Sequence, residues 1–244
     1  MYLQVIGSGD AFGSGGRNTA CFLLAGESGS VLLDCGASSL PALKRCGVRP
    51  ADIDAVLISH LHGDHFGGVP FLFLEARYLD PRERPLQVAG PPGVGSRMAE
   101  LGRALYRAGG AAPEPSIVQF QDLEPGRPCR VGPAVVHPFA VKHVSDETCL
   151  GLRVEMGGKT VVYTGDTRWF PGLMEAARDA DLFLWECTNT EDEVGGHTRL
   201  ADVLEHAGRL ESRRLLLTHL GPEVLAARDD HDLPWAEDGM RVEL

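Results

Sequence analysis

Long hydrophobic runs are missing from this chain of 244 residues. No apolar stretch approaches the roughly 18 residues that a membrane-spanning helix needs. The first ten residues also lack the basic region, apolar stretch and small-residue cleavage site of a secretion signal. We therefore expect a protein without membrane contact, and the cytoplasm as its compartment.

Paired cysteines and an excess of basic residues are missing too. The six cysteines include no CxxC pair, so their spacing predicts neither a zinc knuckle nor a disulfide framework, and we expect buried, reduced thiols. Lys and Arg total 23 against 34 Asp and Glu, which gives a formal net charge of −11. Because nucleic-acid binding relies on clustered cations that displace counterions, this charge argues against an extended surface for RNA or DNA.

Repeats, low-complexity tracts and linkers are also absent, so residues 1–244 are expected to form a single domain. Two amphipathic patterns predict helices, one over 94–105 that stops before Gly109 and one over 200–207. The mixture of strands and helices is typical of an α/β or α+β layered fold. The predicted strands cover residues 2–6, 20–25, 30–34, 55–59, 86–89, 134–141, 150–155, 160–164, 181–185 and 213–218.

What the chain does contain is a dense cluster of metal-binding side chains directly after a predicted strand. Segment 59–68 supplies His60, His62, Asp64 and His65 within six positions. Imidazole and carboxylate groups suit zinc, manganese or iron, and the glycines of the segment let the backbone turn these side chains inward. The alternative interpretation is a solvated polar loop, which the adjoining buried-looking strand disfavours.

One loop does not complete two metal ions, which need about four or five ligands each. Three further candidates each follow a predicted strand: His143, Asp166 and His219. Taken singly, each could be a polar residue where a strand leaves the sheet. Their repeated position beyond an apolar strand, together with the cluster at His60, predicts that all three are metal ligands.

At this point the chain resembles the metallo-β-lactamase superfamily and, within it, the ribonuclease Z-like branch. The resemblance covers nearly the whole chain. It rests on the ligand loop and on weaker glycine motifs, namely Gly7-Ser8-Gly9 with Arg17-Asn18, Leu33-Asp34-Cys35-Gly36, Gly90-Pro91-Pro92-Gly93, Thr164-Gly165-Asp166-Thr167 and Leu217-Thr218-His219.

The resemblance implies a four-layer αββα sandwich with two metal ions at the mouth between the sheets. It assigns His60, His62 and His143 to one ion. It assigns Asp64, His65 and His219 to the other, and it places Asp166 between the two. We expect two divalent ions, with zinc first and manganese or iron as alternatives, since the ligand types do not distinguish them.

A second motif narrows the reaction class. Trp185-Glu186-Cys187-Thr188 followed by Gly195-Gly196-His197-Thr198 resembles the ribonuclease Z pair of a Glu and a downstream His that assist departure of the leaving group. The chain departs from that pattern at Trp185, where the family usually has histidine. In the alternative interpretation His197 and Thr198 only begin the next helix, with Thr198 as its N-cap.

One segment that ribonuclease Z enzymes usually have, an arm that binds tRNA, is absent from the sequence between His143 and Asp166. Ribonuclease Z enzymes that process tRNA usually carry a long arm between the positions of His143 and Asp166, whereas here Gly157-Gly158 predicts a tight hairpin turn. We therefore expect a dinuclear phosphodiesterase that acts on a small or nucleotide-type phosphodiester, cyclic substrates and RNA 3′ ends included. Hydrolysis of a thioester, lactone or β-lactam is the alternative, and tRNA 3′ processing with extended tRNA binding is less favoured.

The expected mechanism uses a hydroxide held between two metal ions as the nucleophile. Asp64 would orient it, and His197, held by Glu186, would protonate the leaving oxygen. Asp34 is a candidate acceptor for the outer N–H of a ligand histidine, or simply a turn residue at a strand end. The oligomeric state is left open by the sequence, with a homodimer among the alternatives.

Overall fold

The computed structural model describes residues 1–106, 114–190 and 195–244. Within these ranges thirteen strands form two sheets, and seven α-helices cover them. The strands are β1 (Tyr2–Gly7), β2 (Cys21–Gly26), β3 (Gly29–Leu33), β4 (Ala55–Leu57), β5 (Leu86–Gly90), β6 (Val118–Asp122), β7 (Cys129–Val131), β8 (Ala134–Ala140), β9 (Leu150–Met156), β10 (Lys159–Tyr163), β11 (Leu182–Glu186), β12 (Leu215–Thr218) and β13 (Arg241–Glu243). The helices are α1 (Ser39–Arg45), α2 (Gly63–Phe66), α3 (Val69–Tyr78), α4 (Val94–Leu105), α5 (Gly172–Ala177), α6 (Leu200–His206) and α7 (Pro222–Ala227).

The first sheet has the strand order β13-β1-β2-β3-β4-β5-β6, and the second has the order β12-β11-β10-β9-β8-β7. Strands β3 to β6 pair in parallel, as do β10, β11 and β12. Because β8 and β10 both pair antiparallel with β9, they run in the same direction. The carboxyl ends of the parallel strands therefore collect at one edge of each sheet, where ligand sites are usually found in such folds.

Three apolar layers hold the sheets and helices together. One lies between the two sheets, a second packs α1, α3 and α4 on the first sheet, and a third packs α5, α6 and α7 on the second sheet. Strand residues alternate between layers: Val161 and Tyr163 face the layer between the sheets, whereas Val162 faces the helices. Burial on both faces explains the continuous apolar runs of these strands. The expected αββα sandwich is confirmed.

All ten predicted strands are present, and the three strands that the sequence did not predict are β6, β7 and β13. Each of the three lies at the edge of its sheet and carries exposed polar residues, so it shows no long apolar run. Both predicted helices are present as α4 and α6. Gly109, predicted to follow α4, lies outside the described residues.

The hydropathy of the helices and the state of the cysteines can be compared with what the sequence predicts. No described helix has both the length and the hydropathy to cross a membrane. All six cysteines are free thiols, and four of them are buried.

Candidate metal centre

The loop after β4 is held in place by the strand end beside it. The backbone N–H of Cys35 donates to the carbonyl of His65 over 2.7 Å, and the N–H of Gly68 donates to the carbonyl of Cys35 over 2.8 Å. A Cβ atom at Gly68 would collide with the carbonyl oxygen of Gly36. Glycine is therefore required there for the close approach that turns the loop side chains toward the mouth between the sheets.

The structure brings all seven sequence-predicted ligands together at the carboxyl ends of the strands. They form two groups in which the potential ligand atoms lie within 4.8 Å of one another. One group joins two side chains of the β4 loop with one that follows β8, and the other joins two from the loop with residues that follow β10 and β12. The groups are His60, His62 and His143, and Asp64, His65, Asp166 and His219.

Asp166 lies between the two groups. Its Oδ2 is 3.2 Å from Nε2 of His65 and 3.4 Å from Nε2 of His219. The same oxygen is 3.7 Å from Nε2 of His60 and 4.0 Å from Nε2 of His143. Oδ2 of Asp166 therefore lies within 4.0 Å of ligand atoms from both groups.

The donor set fits a pair of divalent cations. Among the described residues, Nε2 of His60, Nε2 of His65 and Oδ1 of Asp166 are buried and make no hydrogen bond. Buried polar atoms without partners are costly, and ions held by the two groups would satisfy these atoms. Five imidazoles and two carboxylates are ligands for zinc, manganese or iron.

At Asp166 and His60 the local electrostatics favour the protonation states that bind metal. Burial would raise the pKa of the Asp166 carboxyl, but His219, His65 and His60 outweigh it and hold this pKa well below its usual range. Burial, and then the neighbouring His65, hold the pKa of His60 well below its usual range. An ionised carboxylate and a neutral imidazole are the forms in which these groups coordinate cations.

Five of the seven predicted ligands are histidines. In four of them Nε2 faces the centre, and Nδ1 contacts a polar atom of a residue outside the ligand set. Outer contacts of this kind fix the ring orientation of ligand histidines in metal sites. The contacts of Nδ1 are Ser59 Oγ at 3.1 Å for His60, Asp34 Oδ2 at 2.7 Å for His65, the Gly196 carbonyl at 3.2 Å for His143 and Thr188 Oγ1 at 2.8 Å for His219.

Asp34 is fully buried and satisfies both interpretations of its role. It directly follows β3 and has a positive φ of 56°, as a turn residue would. Its carboxylate also accepts hydrogen bonds of 2.7 Å from the Ser59 backbone N–H and hydroxyl, from Nδ1–H of His65 and from the Tyr163 hydroxyl. Asp34 thus orients both the loop and one ligand.

The Glu186 and His197 pair lies beside this centre. Nδ1 of His197 is 3.0 Å from Oε1 of Glu186, a fully buried carboxylate, and 3.9 Å from Oδ2 of Asp166. Burial would lower the pKa of His197, but the carboxylates of Glu186 and Asp166 outweigh it and raise this pKa to about 9. With Nδ1 on Glu186, Nε2 is the nitrogen available to a bound molecule.

The alternative role for Thr198 is wrong. Arg199, and not Thr198, is the N-cap residue of α6. The Thr198 hydroxyl donates to the Thr167 carbonyl over 2.7 Å and accepts from Nε1 of Trp185 over 3.1 Å. Trp185 is fully buried against the helices, so its indole anchors the His197 segment from a position where the family usually has histidine.

Sequence reasoning missed several residues around the centre. Ser59, Thr167 and Thr188 supply hydroxyl or backbone contacts to the ligands and to Glu186, although each lies inside or next to a motif that carries the family resemblance. Tyr163 carried a weaker signal, a single phenol at the end of the apolar run of β10. A hydroxyl in such a run points to a buried hydrogen bond but does not name its partner.

Comparisons with known proteins agree with the fold and the site. The solved structure of the metallo-β-lactamase fold protein YhfI from Bacillus subtilis superposes with a TM-score of 0.78 at 25% identity and covers 99% of both chains. The curated sequence of that relative, named a probable metallo-hydrolase, is 29% identical over 90% of this chain and 87% of its own length. Ribonuclease Z of Geobacillus kaustophilus (strain HTA426) is 30% identical over 90% of this chain and 88% of its own.

The fold and site define a metal-dependent hydrolase of the metallo-β-lactamase superfamily, in its ribonuclease Z-like branch. The histidine and aspartate clusters indicate a site for divalent metal. Within this branch the chain belongs to the family described as Anti-Pycsar protein Apyc1, whose model matches residues 1–233.

Proposed function

We propose that this hydrolase is a dinuclear phosphodiesterase that acts on a small, nucleotide-type phosphodiester, cyclic substrates included. The observation that carries the proposal is the position of His197, which Glu186 holds over 3.0 Å at the edge of the metal centre. Relatives named ribonuclease Z support phosphodiester chemistry on the same fold.

A histidine in this position can act as a general acid, which matters most when the leaving group is an alkoxide. An alkoxide is a poor leaving group, and its departure is accelerated when a positioned acid donates a proton to it. Nδ1 of His197 faces Glu186, so Nε2–H is the group that can donate to the leaving oxygen. A thiolate departs more readily without a proton, so the pair has less to contribute to a thioester hydrolase.

The metal-holding residues follow from the two groups of ligands. We assign His60, His62 and His143 to one divalent ion and Asp64, His65 and His219 to the other, with Asp166 facing both. Zinc is the first choice of metal, and manganese or iron are alternatives. Two such ions would supply Lewis acidity at phosphorus and a source of hydroxide at neutral pH.

Asp64 has a second role as the carboxylate that orients the nucleophile. Its Oδ2 lies 3.1 Å from Nε2 of His65 and 3.3 Å from Nε2 of His219, so its position is fixed by two ligand rings. Its side chain is 13% exposed, whereas the side chain of Asp166 is 3% exposed. Of the two carboxylates in this group, Asp64 is therefore the one within reach of an entering water molecule.

A small substrate is favoured over tRNA. The connection between β9 and β10 is the two-residue turn Gly157-Gly158, with positive φ of 54° and 73°, as predicted for a tight hairpin. No arm therefore projects from this position to grip a folded RNA. The net charge of −11 also disfavours an extended polyanion.

The test measures hydrolysis of bis(4-nitrophenyl) phosphate and of 3′,5′-cyclic nucleotides by protein loaded separately with zinc and manganese. We expect turnover that His60→Ala abolishes and that His137→Ala, a change on the outer face of β8, leaves intact. Faster hydrolysis of a thioester than of every phosphodiester would contradict the proposal and favour the carboxylic-derivative alternative.

A further inference from the structure

Phe12 is an apolar side chain that the fold leaves in water. It is 91% exposed, the highest value among the large apolar residues that the structure describes, whereas Phe22, Phe73 and Phe183 are at most 1% exposed. Phenylalanine is normally buried, because contact of its ring with water is unfavourable. A ring exposed to this extent has its face free to stack on a ligand.

The loop that carries Phe12 lies at the rim of the metal centre. Strand β2 pairs antiparallel with both β1 and β3, so the connection between β1 and β2 lies at the sheet edge where β3 ends, next to Asp34. Before the loop, the Ser8 carbonyl accepts the His219 N–H over 2.9 Å. After it, the Ala20 carbonyl accepts the Gly36 N–H over 3.1 Å.

The backbone of Phe12 is also near the segment that carries a ligand histidine. Gly9 pairs with Leu220, which directly follows His219, and Phe12 is three residues beyond Gly9. Three residues span at most about 10 Å, so the backbone of Phe12 stays within that distance of the Gly9 and Leu220 pair. The tip of this loop therefore stays near the backbone that carries His219.

The turn that carries Phe12 is stabilised by side-chain hydrogen bonds. Oδ1 of Asp10 accepts the N–H of Phe12 over 3.1 Å and the N–H of Ser14 over 2.9 Å, while its Oδ2 accepts the Ser14 hydroxyl over 2.7 Å. Gly13 continues the turn at a φ of 65°. An aromatic ring on a hydrogen-bonded turn loses little conformational entropy when it binds a ligand.

The base of the loop is anchored on the other side by Arg17. Its guanidinium donates 2.7 Å hydrogen bonds to the Ser8 hydroxyl and the Ala236 carbonyl, and it pairs with Glu237 over 2.7 Å. The Arg17 side chain is only 8% exposed. The loop is thus fastened to the body of the protein next to the residue that contacts His219.

We propose that Phe12 is the platform on which the base of a nucleotide substrate stacks while its phosphate occupies the metal centre. The inference rests on the proposed phosphodiesterase function and adds a base-binding subsite to it. Stacking uses the face of the ring and needs no positive charge, which suits an acidic protein.

A single exposed ring provides enough contact area for a flat small molecule, but not for a stable protein interface. The other exposed large apolar side chains that the structure describes are at the ends of α3 and α4 and on α6, and none belongs to the loop that carries Phe12. A stable protein interface buries about 800 Å² on each partner and usually has an apolar centre of several residues.

The test compares Phe12→Ala, Phe12→Trp and the parent protein, with Tyr78→Ala as the matched control. Tyr78 is an exposed aromatic residue at the far end of α3 and is 69% exposed. Equilibrium binding of adenosine 5′-monophosphate and of ribose 5-phosphate, which lacks the base, is measured on zinc-loaded protein, and KM is measured for 3′,5′-cyclic adenosine monophosphate.

We expect Phe12→Ala to weaken binding of the nucleotide and to raise KM by about tenfold, as removal of a stacking ring typically does. Binding of ribose 5-phosphate stays unchanged, Phe12→Trp restores nucleotide affinity, and Tyr78→Ala behaves as the parent. Equal affinity of the parent and Phe12→Ala for the nucleotide would overturn the inference. So would loss of a dimer on Phe12→Ala in sedimentation, because the ring would then contact a second copy of the chain.

The two proposals fail separately. Phosphodiester turnover with no effect of Phe12→Ala on KM or binding rejects the platform and keeps the phosphodiesterase. Nucleotide binding that depends on Phe12 without any phosphodiester turnover rejects the phosphodiesterase and keeps the platform.

Discussion

The Tyr163 hydroxyl donates a 2.7 Å hydrogen bond to Oδ2 of Asp34, and the same oxygen accepts from Nδ1 of His65. Tyr163 belongs to the second sheet and Asp34 immediately follows a strand of the first, so this bond joins the two sheets directly beneath the metal centre. Burial, and then Asp34, hold the pKa of the Tyr163 phenol well above its usual range, so it stays a neutral donor.

Tyr163→Phe is therefore expected to weaken metal binding. Loss of a residue that holds a ligand directly typically costs about 10- to 100-fold in metal affinity. Tyr163 acts one contact further out, through Asp34, so we expect a loss at the lower end of this range, about tenfold. The ring stays packed on Phe22, whose centroid is 5.4 Å away, so the fold should survive. Competition with a chromogenic chelator measures the affinity, and Tyr78→Phe serves as the exposed control. Unchanged affinity in Tyr163→Phe would show that Asp34 holds His65 without this bond.

Thr188 connects the ligand His219 to Glu186. Its Oγ1 lies 2.8 Å from Nδ1 of His219 and 3.1 Å from Oε2 of Glu186. Thr188→Val keeps the shape and removes the hydroxyl, and we expect it to lower kcat by about tenfold or more, since both neighbours lose an outer partner. Thr188→Ser should restore the rate. Equal rates in the valine and serine variants would assign the residue to packing alone.

His197→Ala is expected to reduce phosphodiester turnover by about a hundredfold or more, the usual effect of removing a positioned acid. The loss should be larger for an alkoxide leaving group than for 4-nitrophenoxide, because the latter departs without a proton. Steady-state rates on the two ester types measure this difference. The same loss with both leaving groups would point to a structural role for His197 instead.

Removal of metal is expected to destabilise the folded chain, because the converging ligand atoms then lack partners. A ligand present at a hundred times its Kd stabilises the folded state by about 2.7 kcal/mol, so chelation should lower Tm and zinc should restore it. His60→Ala should show a smaller response to chelator.

Metal analysis by mass spectrometry is expected to give about two ions per chain, and well under one would contradict the two-metal assignment.

Asp181 gives a prediction about pH that is independent of the metal. Its carboxylate accepts the Thr160 N–H over 3.0 Å and pairs with Lys159 over 3.1 Å. The backbone bond first, and then Lys159, lower the pKa of Asp181 below its ordinary value of 3.8. The stabilisation is thus complete above that value and is lost as the pH falls through the lower folded-state pKa.

Thermal unfolding of the parent and of Asp181→Asn tests this dependence. The parent should have the higher Tm at pH 6, and the two should converge as the pH falls below about 3.8, the ordinary carboxyl pKa of Asp181. Glu124→Gln, which removes an exposed ion pair with Arg127, is the control and should change Tm little at either pH. A difference between the parent and Asp181→Asn that does not shrink as the pH falls below about 3.8 would exclude the charge as its cause.

Local sequence patterns are sufficient to predict a divalent metal site and most of the framework. The cluster from His60 to His65 indicates a metal site, because imidazole and carboxylate groups at this density beside a buried strand bind metal. Strands buried on both faces have continuous apolar runs, and the polar residues just beyond them indicated His143, Asp166 and His219. These signals are local, so the pattern of neighbouring residues carries them.

The partners of those residues depend on tertiary packing. Edge strands β6, β7 and β13 form because a neighbouring strand offers hydrogen bonds, which no local pattern shows. The contacts of Tyr163 with Asp34 and of Thr188 with His219 join residues 129 and 31 positions apart. They exist because the packing of two sheets brings distant strand ends together, and a single side chain in the sequence carries no record of which distant partner that packing supplies.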